Sequence, residues 1–318
     1  MLKKIAKKNL QKSSVLPPVL VVLGTTSAGK TNLGVKLAAK FNGEIISADS
    51  RQVYKGMDIG TGKDLSEYVI GKQKIKYHLI DVVSPKQEFD LAKYQKLASQ
   101  AIVDILQRGK LPIIVGGTGL YVQALVDNYQ LSSAKPDLEK RAQLEKLSVS
   151  ELFKKLEIDK PDFASRLNNS DKNNKRRLIR YLEIIENGDF GKTKSQNSSY
   201  DFLLVGLNWP DKVLKARIIE RLWHRLGKEE LVAEVKNLHR AGVSYERLLS
   251  FGLEYKFISQ YLQAELDYET MVDKLETAIY RFAKRQKTWL RRWEKQGRKI
   301  NWIKDSTAAE KLVSAWLK

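Results

Sequence analysis

Gly24 and the run Gly29-Lys30-Thr31 stand at the spacing G-x-x-x-x-G-K-[ST], the complete pattern of a phosphate-binding loop. Its two glycines let the backbone wrap closely around an anion, so that successive N–H groups point at it. Lys30 would reach the outer phosphates, and the Thr31 hydroxyl is suited to bind Mg²⁺. A Gly/Ser-rich turn between a strand and a helix is the plainer alternative. The pattern predicts phosphate binding, but it identifies neither the phosphate compound nor the reaction.

Two predicted elements flank this loop and would position it. Residues 19–23 form an apolar run rich in β-branched side chains, which is typical of a buried strand. Residues 31–41 have the pattern of a helix, whose positive N-terminal end would add to the field at the anion.

A second candidate group follows the next predicted strand, at residues 44–48, where Asp49 begins a polar segment. A carboxylate at the C-terminal end of a parallel strand faces the crevice where open α/β sheets bind ligands. Asp49 is therefore a candidate general base or a ligand of metal-bound water, and capping of the next turn is the alternative. The Gly-rich segment 57–63 is predicted to be a loop beside that crevice.

A third strand is predicted at residues 77–83 and contains two titratable side chains. Asp81 is a weaker candidate than Asp49 for holding Mg²⁺ through water. His78 stands at the start of the strand, where a structural role is favoured over a catalytic one.

A helix at 89–107 and a fourth strand at 112–115 lead into a second glycine-rich turn, 116–119. Within this turn Thr118 can offer its hydroxyl to a ligand. The alternation of strands and helices predicts an α/β fold with a parallel sheet and right-handed crossovers.

From about residue 131 the pattern changes to helices only, up to about residue 187. The last of these, predicted at 171–186, has Leu178, Leu182 and Ile185 on one face and basic residues on others. A strand at 202–207 follows a Gly/Ser/Asn-rich link. We therefore predict three parts: a basic arm at 1–14, an α/β core of 15–130 with 200–318, and a helical insertion at 131–199.

A long helix is predicted at 268–293 in the C-terminal part, followed by an edge strand at 298–303 and a helix at 307–317. Its predicted buried stripe consists of Leu275, Ala278, Phe282, Trp289 and Trp293. Its other faces are crowded with cations, which repel one another unless an anion neutralises them: Arg281, Lys284, Arg285, Lys287, Arg291 and Arg292.

The chain has 57 Lys and Arg against 37 Asp and Glu among its 318 residues, a formal charge of +20. Such an excess favours a polyanionic partner, because each neutralised phosphate releases condensed counterions; general basicity without a partner is the alternative. With no cysteine, the chain has neither disulfides nor thiol catalysis. Its apolar runs are too short to span a bilayer and its basic first residues lack a secretory core, so we expect a cytoplasmic protein with no membrane partner.

Five blocks of the chain resemble one known family, the tRNA dimethylallyltransferases (tRNA isopentenyltransferases) of bacterial type. The blocks are residues 24–31, 49–61, 78–81, 115–121 and 283–289, in the family's order. The second and fourth blocks are specific, whereas the phosphate loop alone would not discriminate. Such enzymes move a dimethylallyl group from its diphosphate to N6 of the adenosine just 3′ of the anticodon.

The resemblance implies a P-loop NTPase-like parallel sheet flanked by helices, with an inserted all-helical tRNA-binding domain. It implies that Asp49 is the general base, that Thr118 lies near the reacting centre, and that Mg²⁺ is the cofactor, bound to Thr31. The diphosphate would be held without phosphoryl transfer by Gly24, Thr25, Thr26, Ser27, Ala28, Gly29, Lys30 and Thr31.

The resemblance also implies contacts with the anticodon stem and loop of tRNA, recognised by phosphates, splayed bases and shape. The matching residues are Asp49, Ser50, Arg51, Gln52, Thr118, Arg141, Arg176, Arg177, Leu178, Ile179 and Arg180. One departure concerns the diphosphate: family members often have Thr-Arg-Gln where this chain has Ile279-Tyr280-Arg281. Arg281 or Arg285 would replace the missing arginine, and the sequence leaves the choice open.

Three other functions share parts of this pattern. A P-loop small-molecule kinase shares the loop, sheet and Mg²⁺ site, but would have no use for a charge of +20 or a basic helical insertion. An isopentenyltransferase acting on free adenine nucleotides shares the chemistry without needing so large a basic surface. A nucleotide-switched RNA-binding protein would not require Asp49 as a base. The sequence favours a monomeric enzyme that uses tRNA and dimethylallyl diphosphate.

Overall fold

The computed structural model describes residues 16–131, 137–187, 198–227 and 230–318. The chain forms two compact units, one of Met1–Val126 with Asn197–Lys318 and the other of Asp127–Gln196. The predicted arm at 1–14 and most of the predicted link at 187–199 lie outside the described residues. No helix in the described part of the chain is both long and apolar enough to cross a membrane.

The first unit begins with a strand, the predicted loop and a helix. Its elements up to residue 126 are β1 (Pro18–Gly24), α1 (Lys30–Lys40), β2 (Gly43–Ser47), a 3₁₀ helix (Leu65–Tyr68), β3 (Val69–Ile70), β4 (Gln73–Lys74), β5 (Tyr77–His78), α2 (Leu91–Gln107), β6 (Leu111–Gly116) and α3 (Gly119–Val126).

The regular elements among the described residues of the second unit are all helices. It contains α4 (Leu138–Lys146), α5 (Val149–Asp159), α6 (Pro161–Arg166), α7 (Asn169–Lys172) and α8 (Lys175–Glu186). The predicted helix at 171–186 is wrong in its first turn, because Asn174 interrupts it. The side chain of Asn174 accepts a hydrogen bond from the backbone N–H of Arg177 and caps α8.

The chain then returns to the first unit. Its remaining elements are β7 (Asp201–Leu207), α9 (Asp211–Leu226), α10 (Glu230–Arg240), α11 (Tyr245–Phe251), α12 (Leu253–Leu262), α13 (Tyr268–Lys295), β8 (Asn301–Ile303) and α14 (Ser306–Trp316).

The main sheet has the order β5-β2-β6-β1-β7-β8, and all its pairs are parallel. Strand β1 alternates between the two faces: Val19, Val21 and Leu23 pack with α2, α3 and the end of α13. Leu20 and Val22 pack with α1 and α14 on the other face. Burial on both faces explains the continuous apolar run in the sequence. The predicted α/β fold with a parallel sheet is confirmed.

The predicted third strand at 77–83 is wrong beyond its second residue. Strand β5 ends at His78, because Leu79 and Asp81 adopt φ values of 62° and 56°, which a strand cannot contain. The following chain instead makes one isolated bridge, between Tyr54 and Val83.

The predicted buried stripe of α13 is confirmed at Leu275 and Trp293 and is wrong at its other three positions. Leu275, Ile279, Ala283, Leu290 and Trp293 are buried, whereas the predicted members Ala278, Phe282 and Trp289 lie at the edge of that stripe. Both stripes have helical spacing, and packing against α9, α12 and β1 decides between them. Phe282 is thereby left at the helix edge that faces the site described below.

Candidate active site

The phosphate loop lies between β1 and α1, as predicted. Gly29 has a φ of +89° and forms the N-cap of α1, a conformation that favours glycine. Lys30 folds back over the loop, and its Nζ donates a hydrogen bond of 2.6 Å to the carbonyl oxygen of Thr25. Burial removes hydration from the ammonium group and lowers the pKa of Lys30 to about 8. An anion placed here would restore the stability of the charged form.

Asp49 follows β2 and is held by the turn that comes after it. Its Oδ1 accepts hydrogen bonds from the backbone N–H groups of Arg51, at 2.9 Å, and Gln52, at 3.4 Å. Thr118 lies beside it, because its Oγ1 accepts a 3.1 Å hydrogen bond from the N–H of Ser50. Asp49 therefore caps its turn and also lines the two pockets described next.

Two narrow pockets adjoin above the carboxyl ends of β1, β2 and β6. The phosphate-loop pocket, of about 80 Å³, is lined by Thr26, Lys30, Thr31, Asp49, Gln52, Thr61, Gly62, Tyr68, Val115, Gly116, Gly117, Arg221, Phe282 and Gln286. The adjoining pocket, of about 90 Å³, is lined by Thr26, Asp49, Ser50, Arg51, Gly60, Thr61, Thr118, Arg221, Arg225, Leu253, Glu254, Ile279 and Phe282. The segment 57–63 thus lies beside the crevice, as predicted.

The adjoining pocket has one apolar side, formed by Leu253, Ile279 and Phe282. Asp49 and Thr118 line the same pocket. An anion and an apolar group can therefore be held next to each other, with a carboxylate in reach of both.

A row of arginines on α9 supplies positive charge at the site. Arg217, Arg221 and Arg225 are four residues apart and so share one helix face. The Nε of Arg217 donates to the Ser27 carbonyl oxygen at 2.8 Å, and Nη2 of Arg221 contacts the Gly62 carbonyl oxygen at 3.4 Å. This row was not predicted from the sequence, because basic residues four apart are common on helices that bind no anion.

Arg225, the last arginine of the row, is buried close to the positive charge of Arg221. Burial, and then the neighbouring charge of Arg221, lower the pKa of Arg225 to about 10. Glu254 partly offsets this repulsion, since its carboxylate lies 3.6 Å from Arg225 and 3.4 Å from Arg51. The positive charge of these arginines therefore favours binding of an anion at the site.

Gln286 of α13 links the two glycine-rich turns. Its Oε1 accepts a 2.8 Å hydrogen bond from the Thr26 N–H, and its Nε2 donates a 2.9 Å bond to the Gly117 carbonyl oxygen. A Cβ on residue 117 would lie 2.5 Å from this Nε2, so the close approach requires glycine. The residue is part of the sequence block at 283–289, but its role was not predicted.

Oxygen donors that suit Mg²⁺ lie together at the phosphate-loop pocket. The Thr31 hydroxyl hydrogen-bonds to the Glu67 carboxyl group, whose pKa is raised by burial. Asp49 and Thr31 line the same pocket. Because Mg²⁺ is bound by few protein oxygens, water and substrate phosphates, these residues fit such an ion.

A protein-family model, described as IPP transferase, matches residues 52–293 of this chain. The chain belongs to the IPP transferase family. A tRNA dimethylallyltransferase of Citrifermentans bemidjiense is 44% identical over 294 residues, 92% of this chain and 92% of the relative. A tRNA dimethylallyltransferase of Geotalea uraniireducens is 43% identical over 285 residues, 90% and 92% of the respective chains.

Solved structures show the same fold as this IPP transferase family member. The full-length tRNA isopentenylpyrophosphate transferase of Bacillus halodurans is 34% identical, with a TM-score of 0.68 and coverage of 94% of this chain and 96% of that chain. A eukaryotic dimethylallyltransferase acting on tRNA is 29% identical, with a TM-score of 0.72 and coverage of 86% and 70%. The predicted enzyme family is confirmed.

The family member departs from the expected diphosphate contacts. Arg281 and Arg285 line neither of the two pockets; they lie on a separate groove with Phe257. The structure does not bring them together with the phosphate loop, because Phe282 and Gln286 are the residues of this part of α13 that line the phosphate-loop pocket. Arg221 lines both pockets, and Arg225 lines the adjoining one.

Two of the tRNA-contacting residues expected in the helical unit are buried in its own core. Leu178 is 0% exposed and Ile179 is 3% exposed, so neither side chain can contact RNA; this expectation is corrected. The apolar face that the sequence predicts, with Leu178, Leu182 and Ile185, already indicated that Leu178 is buried.

The expected basic contacts of that unit are mostly paired with acids. Arg141 binds Glu183 through two hydrogen bonds of 2.9 Å each, and Arg180 contacts the same carboxylate at 3.2 Å. Arg177 pairs with Asp171. Arg176 is exposed. RNA contacts through these residues stay a prediction.

The two weaker candidates of the third strand have structural surroundings. His78 lies 2.8 Å from the buried Glu44, which also binds Arg108 and Lys110 and whose pKa lies far below its usual range. Burial acts in the opposite direction, but the three donors outweigh it. Asp81 pairs with Lys63 and lines neither pocket.

Proposed function

We propose that the protein transfers a dimethylallyl group from dimethylallyl diphosphate to N6 of the adenosine 3′-adjacent to the anticodon in tRNA. Family membership supports the reaction class. The observation that carries the proposal is the position of Asp49, which lines both a cationic phosphate-loop pocket and a pocket with an apolar side.

The diphosphate of the donor would occupy the phosphate-loop pocket. Lys30 and Arg221 provide full positive charge there, and the start of α1 provides backbone N–H groups. When the carbon–oxygen bond breaks, the diphosphate gains negative charge, which these fixed groups stabilise. The loop acts on a leaving group, so no phosphoryl transfer is required.

Mg²⁺ would be held by Thr31, with Asp49 and Glu67 close to the same pocket. The ion supplies further neutralisation of the departing diphosphate. The Thr31 hydroxyl donates a hydrogen bond to the Glu67 carboxyl group, and this bond orients the hydroxyl oxygen that would bind the ion.

The dimethylallyl group would lie against Leu253, Ile279 and Phe282. This apolar side keeps water from the allylic carbon, which becomes electron-poor as the diphosphate leaves and would otherwise be hydrolysed. The narrow pocket favours a short prenyl chain.

Asp49 would accept the proton of the acceptor nitrogen. Its Oδ1 is held by the N–H groups of Arg51 and Gln52, which fixes the carboxylate and leaves Oδ2 for the substrate. As N6 attacks the allylic carbon, a carbon–nitrogen bond forms, the carbon–oxygen bond to diphosphate breaks, and the N6 proton passes to Asp49. Thr118, fixed by the Ser50 N–H, lies beside this centre.

The acceptor base must leave the stack of the anticodon loop to reach Asp49. Residues 49–52 line the two pockets, and the net charge of +20 favours the RNA backbone. A monomeric state and a cytoplasmic location stay predictions from the sequence.

The test is transfer of labelled dimethylallyl from its diphosphate to unmodified tRNA, with Mg²⁺ present and free AMP as a second acceptor. Label on tRNA and not on AMP is the expected result. Label on AMP alone would assign the protein to nucleotide-modifying enzymes. Hydrolysis of ATP without any labelled product would indicate a kinase-like role.

A further inference from the structure

A groove that is larger than the two pockets of the candidate active site lies on the surface of α12 and α13. It has a volume of about 490 Å³ and is lined by Phe257, Asp273, Lys274, Thr277, Ala278, Arg281 and Arg285. None of these residues lines either pocket of the candidate active site. The groove therefore needs its own explanation.

Three cations form a row along the groove. Lys274, Arg281 and Arg285 are seven and four residues apart, so they share one face of α13 and extend over about 16 Å of helix axis. All three are exposed, and within the described chain none of them forms an ion pair. A lone carboxylate, Asp273, stands among the lining residues, so the row is largely uncompensated.

An aromatic ring lies across the groove from this row. Phe257 is half-buried and belongs to α12, and the ammonium group of Lys256 lies 5.5 Å from the centre of its ring. Aromatic rings interleaved with cations are the combination that single-stranded nucleic acid uses, since bases stack and phosphates pair.

The groove continues towards the candidate active site through one residue. The guanidinium group of Arg285 lies 5.7 Å from the ring centre of Phe282, and Arg51 lies 6.0 Å from the same ring. Phe282 lines both pockets. A strand whose base enters the adjoining pocket can therefore place its neighbouring phosphates on the groove.

We propose that this groove binds the RNA strand that flanks the modified nucleotide, with its phosphates on Lys274, Arg281 and Arg285 and one base stacked on Phe257. This inference rests on the proposed function for the identity of the RNA. It assigns to Arg281 and Arg285 contacts with phosphodiesters rather than with the diphosphate of the donor.

The first test is charge reversal with a matched control. The double variant Lys274→Glu/Arg281→Glu is compared with Lys36→Glu/Lys96→Glu, which makes the same charge change at exposed positions on α1 and α2. Fluorescence anisotropy gives the Kd for an RNA hairpin with the sequence of an anticodon stem and loop, over a series of salt concentrations.

Loss of two phosphate contacts is expected to lower the slope of log Kd against log salt by about 1.4, because each contact to a single strand contributes about 0.7. The control pair should keep the wild-type slope, and both variants should keep wild-type affinity for inorganic pyrophosphate. Equal slopes for the two double variants would overturn the proposal.

The second test concerns stacking. Phe257→Ala should weaken binding of the hairpin at least about fivefold, whereas Phe257→Tyr should keep it, because stacking on one aromatic ring has that magnitude. Wild-type affinity in Phe257→Ala, with circular dichroism showing a folded chain, would contradict a stacked base.

Failure of the proposed function gives a different result. If the wild-type protein binds the hairpin but transfers no dimethylallyl group to tRNA, the proposed reaction is refuted. The slopes of log Kd against log salt would still show whether the groove binds RNA. Normal transfer together with unchanged slopes would refute the groove alone.

Discussion

The side-chain amide of Gln286 connects Thr26 of the phosphate loop to Gly117 of the second glycine-rich turn, with hydrogen bonds of 2.8 and 2.9 Å. The two turns follow β1 and β6, adjacent strands of the sheet, whereas Gln286 belongs to a helix 160 or more residues later in the chain. One amide can accept from the first turn and donate to the second, which a carboxylate or an apolar side chain cannot do. Gln286 therefore fixes the separation of the groups that bind phosphate and those that flank Thr118.

Gln286→Glu should weaken pyrophosphate binding more than Gln286→Ala does. The carboxylate keeps the acceptor for Thr26 but repels the Gly117 carbonyl oxygen and the anion, whereas alanine only removes two hydrogen bonds, at about 1 kcal/mol each. Calorimetric titration with pyrophosphate measures the difference. Equal affinities in the two variants would show that the bridge does not position the loop.

The substitution Asp49→Asn distinguishes the proposed role of Asp49 as a base from its structural role in the turn. The Asn amide oxygen can still accept from the N–H of Arg51, so the turn should persist, but the side chain can no longer take a proton. Transfer to tRNA should fall by about 10²- to 10⁴-fold with Kd for tRNA unchanged. Single-turnover transfer and a binding titration give both numbers, and wild-type transfer in this variant would remove Asp49 as the base.

Arg221→Ala should weaken pyrophosphate binding by about 1.5–3 kcal/mol, because it deletes a charge-assisted donor from the phosphate-loop pocket. Arg281→Ala, which removes the same charge from the groove on α13, should leave pyrophosphate affinity unchanged. The reverse order of effects in a titration would restore Arg281 as the residue that binds the diphosphate.

The sheet and the phosphate loop could be predicted because their signals are local. Strands buried on both faces are continuous apolar runs, and the loop needs glycines at fixed spacing. The break after β5 carries only a weak signal, since Leu79 rarely adopts a positive φ and Asp, although enriched there, is also found in many other conformations. Only the neighbouring chain, through the bridge between Tyr54 and Val83, shows why the strand ends there.

The arginine row could not be assigned from spacing alone. Basic residues four apart are common on exposed helix faces, and only contact with Ser27 and Gly62 shows that Arg217 and Arg221 face the site. The same limit applies to Arg281, since more than one apolar stripe of α13 fits helical periodicity and tertiary packing decides which residues face the pockets.

Lys30 makes binding of an anion dependent on pH. Its pKa of about 8 in the free protein means that raising the pH through this value removes the charge that attracts a diphosphate. Pyrophosphate affinity should therefore fall between pH 7 and about 9, and binding near pH 8 should take up protons. In Lys30→Arg the side chain stays charged, so this variant keeps only the pH dependence of the ligand itself. Identical pH profiles for the two proteins would contradict the lowered pKa.

Arg141→Ala tests whether this residue stabilises the helical unit or contacts RNA. The guanidinium group of Arg141 donates two hydrogen bonds to the carboxylate of Glu183, which is only 2% exposed. Without Arg141, this buried negative charge would keep only the longer contact with Arg180. The unit should lose about 1–3 kcal/mol of stability, seen as faster hydrogen exchange in α4 and α8. The substitution Glu183→Gln is the matched control, because it removes the charge from the other partner. If Arg141→Ala weakens tRNA binding while exchange in both helices stays at the wild-type rate, Arg141 is an RNA contact and the structural role is refuted.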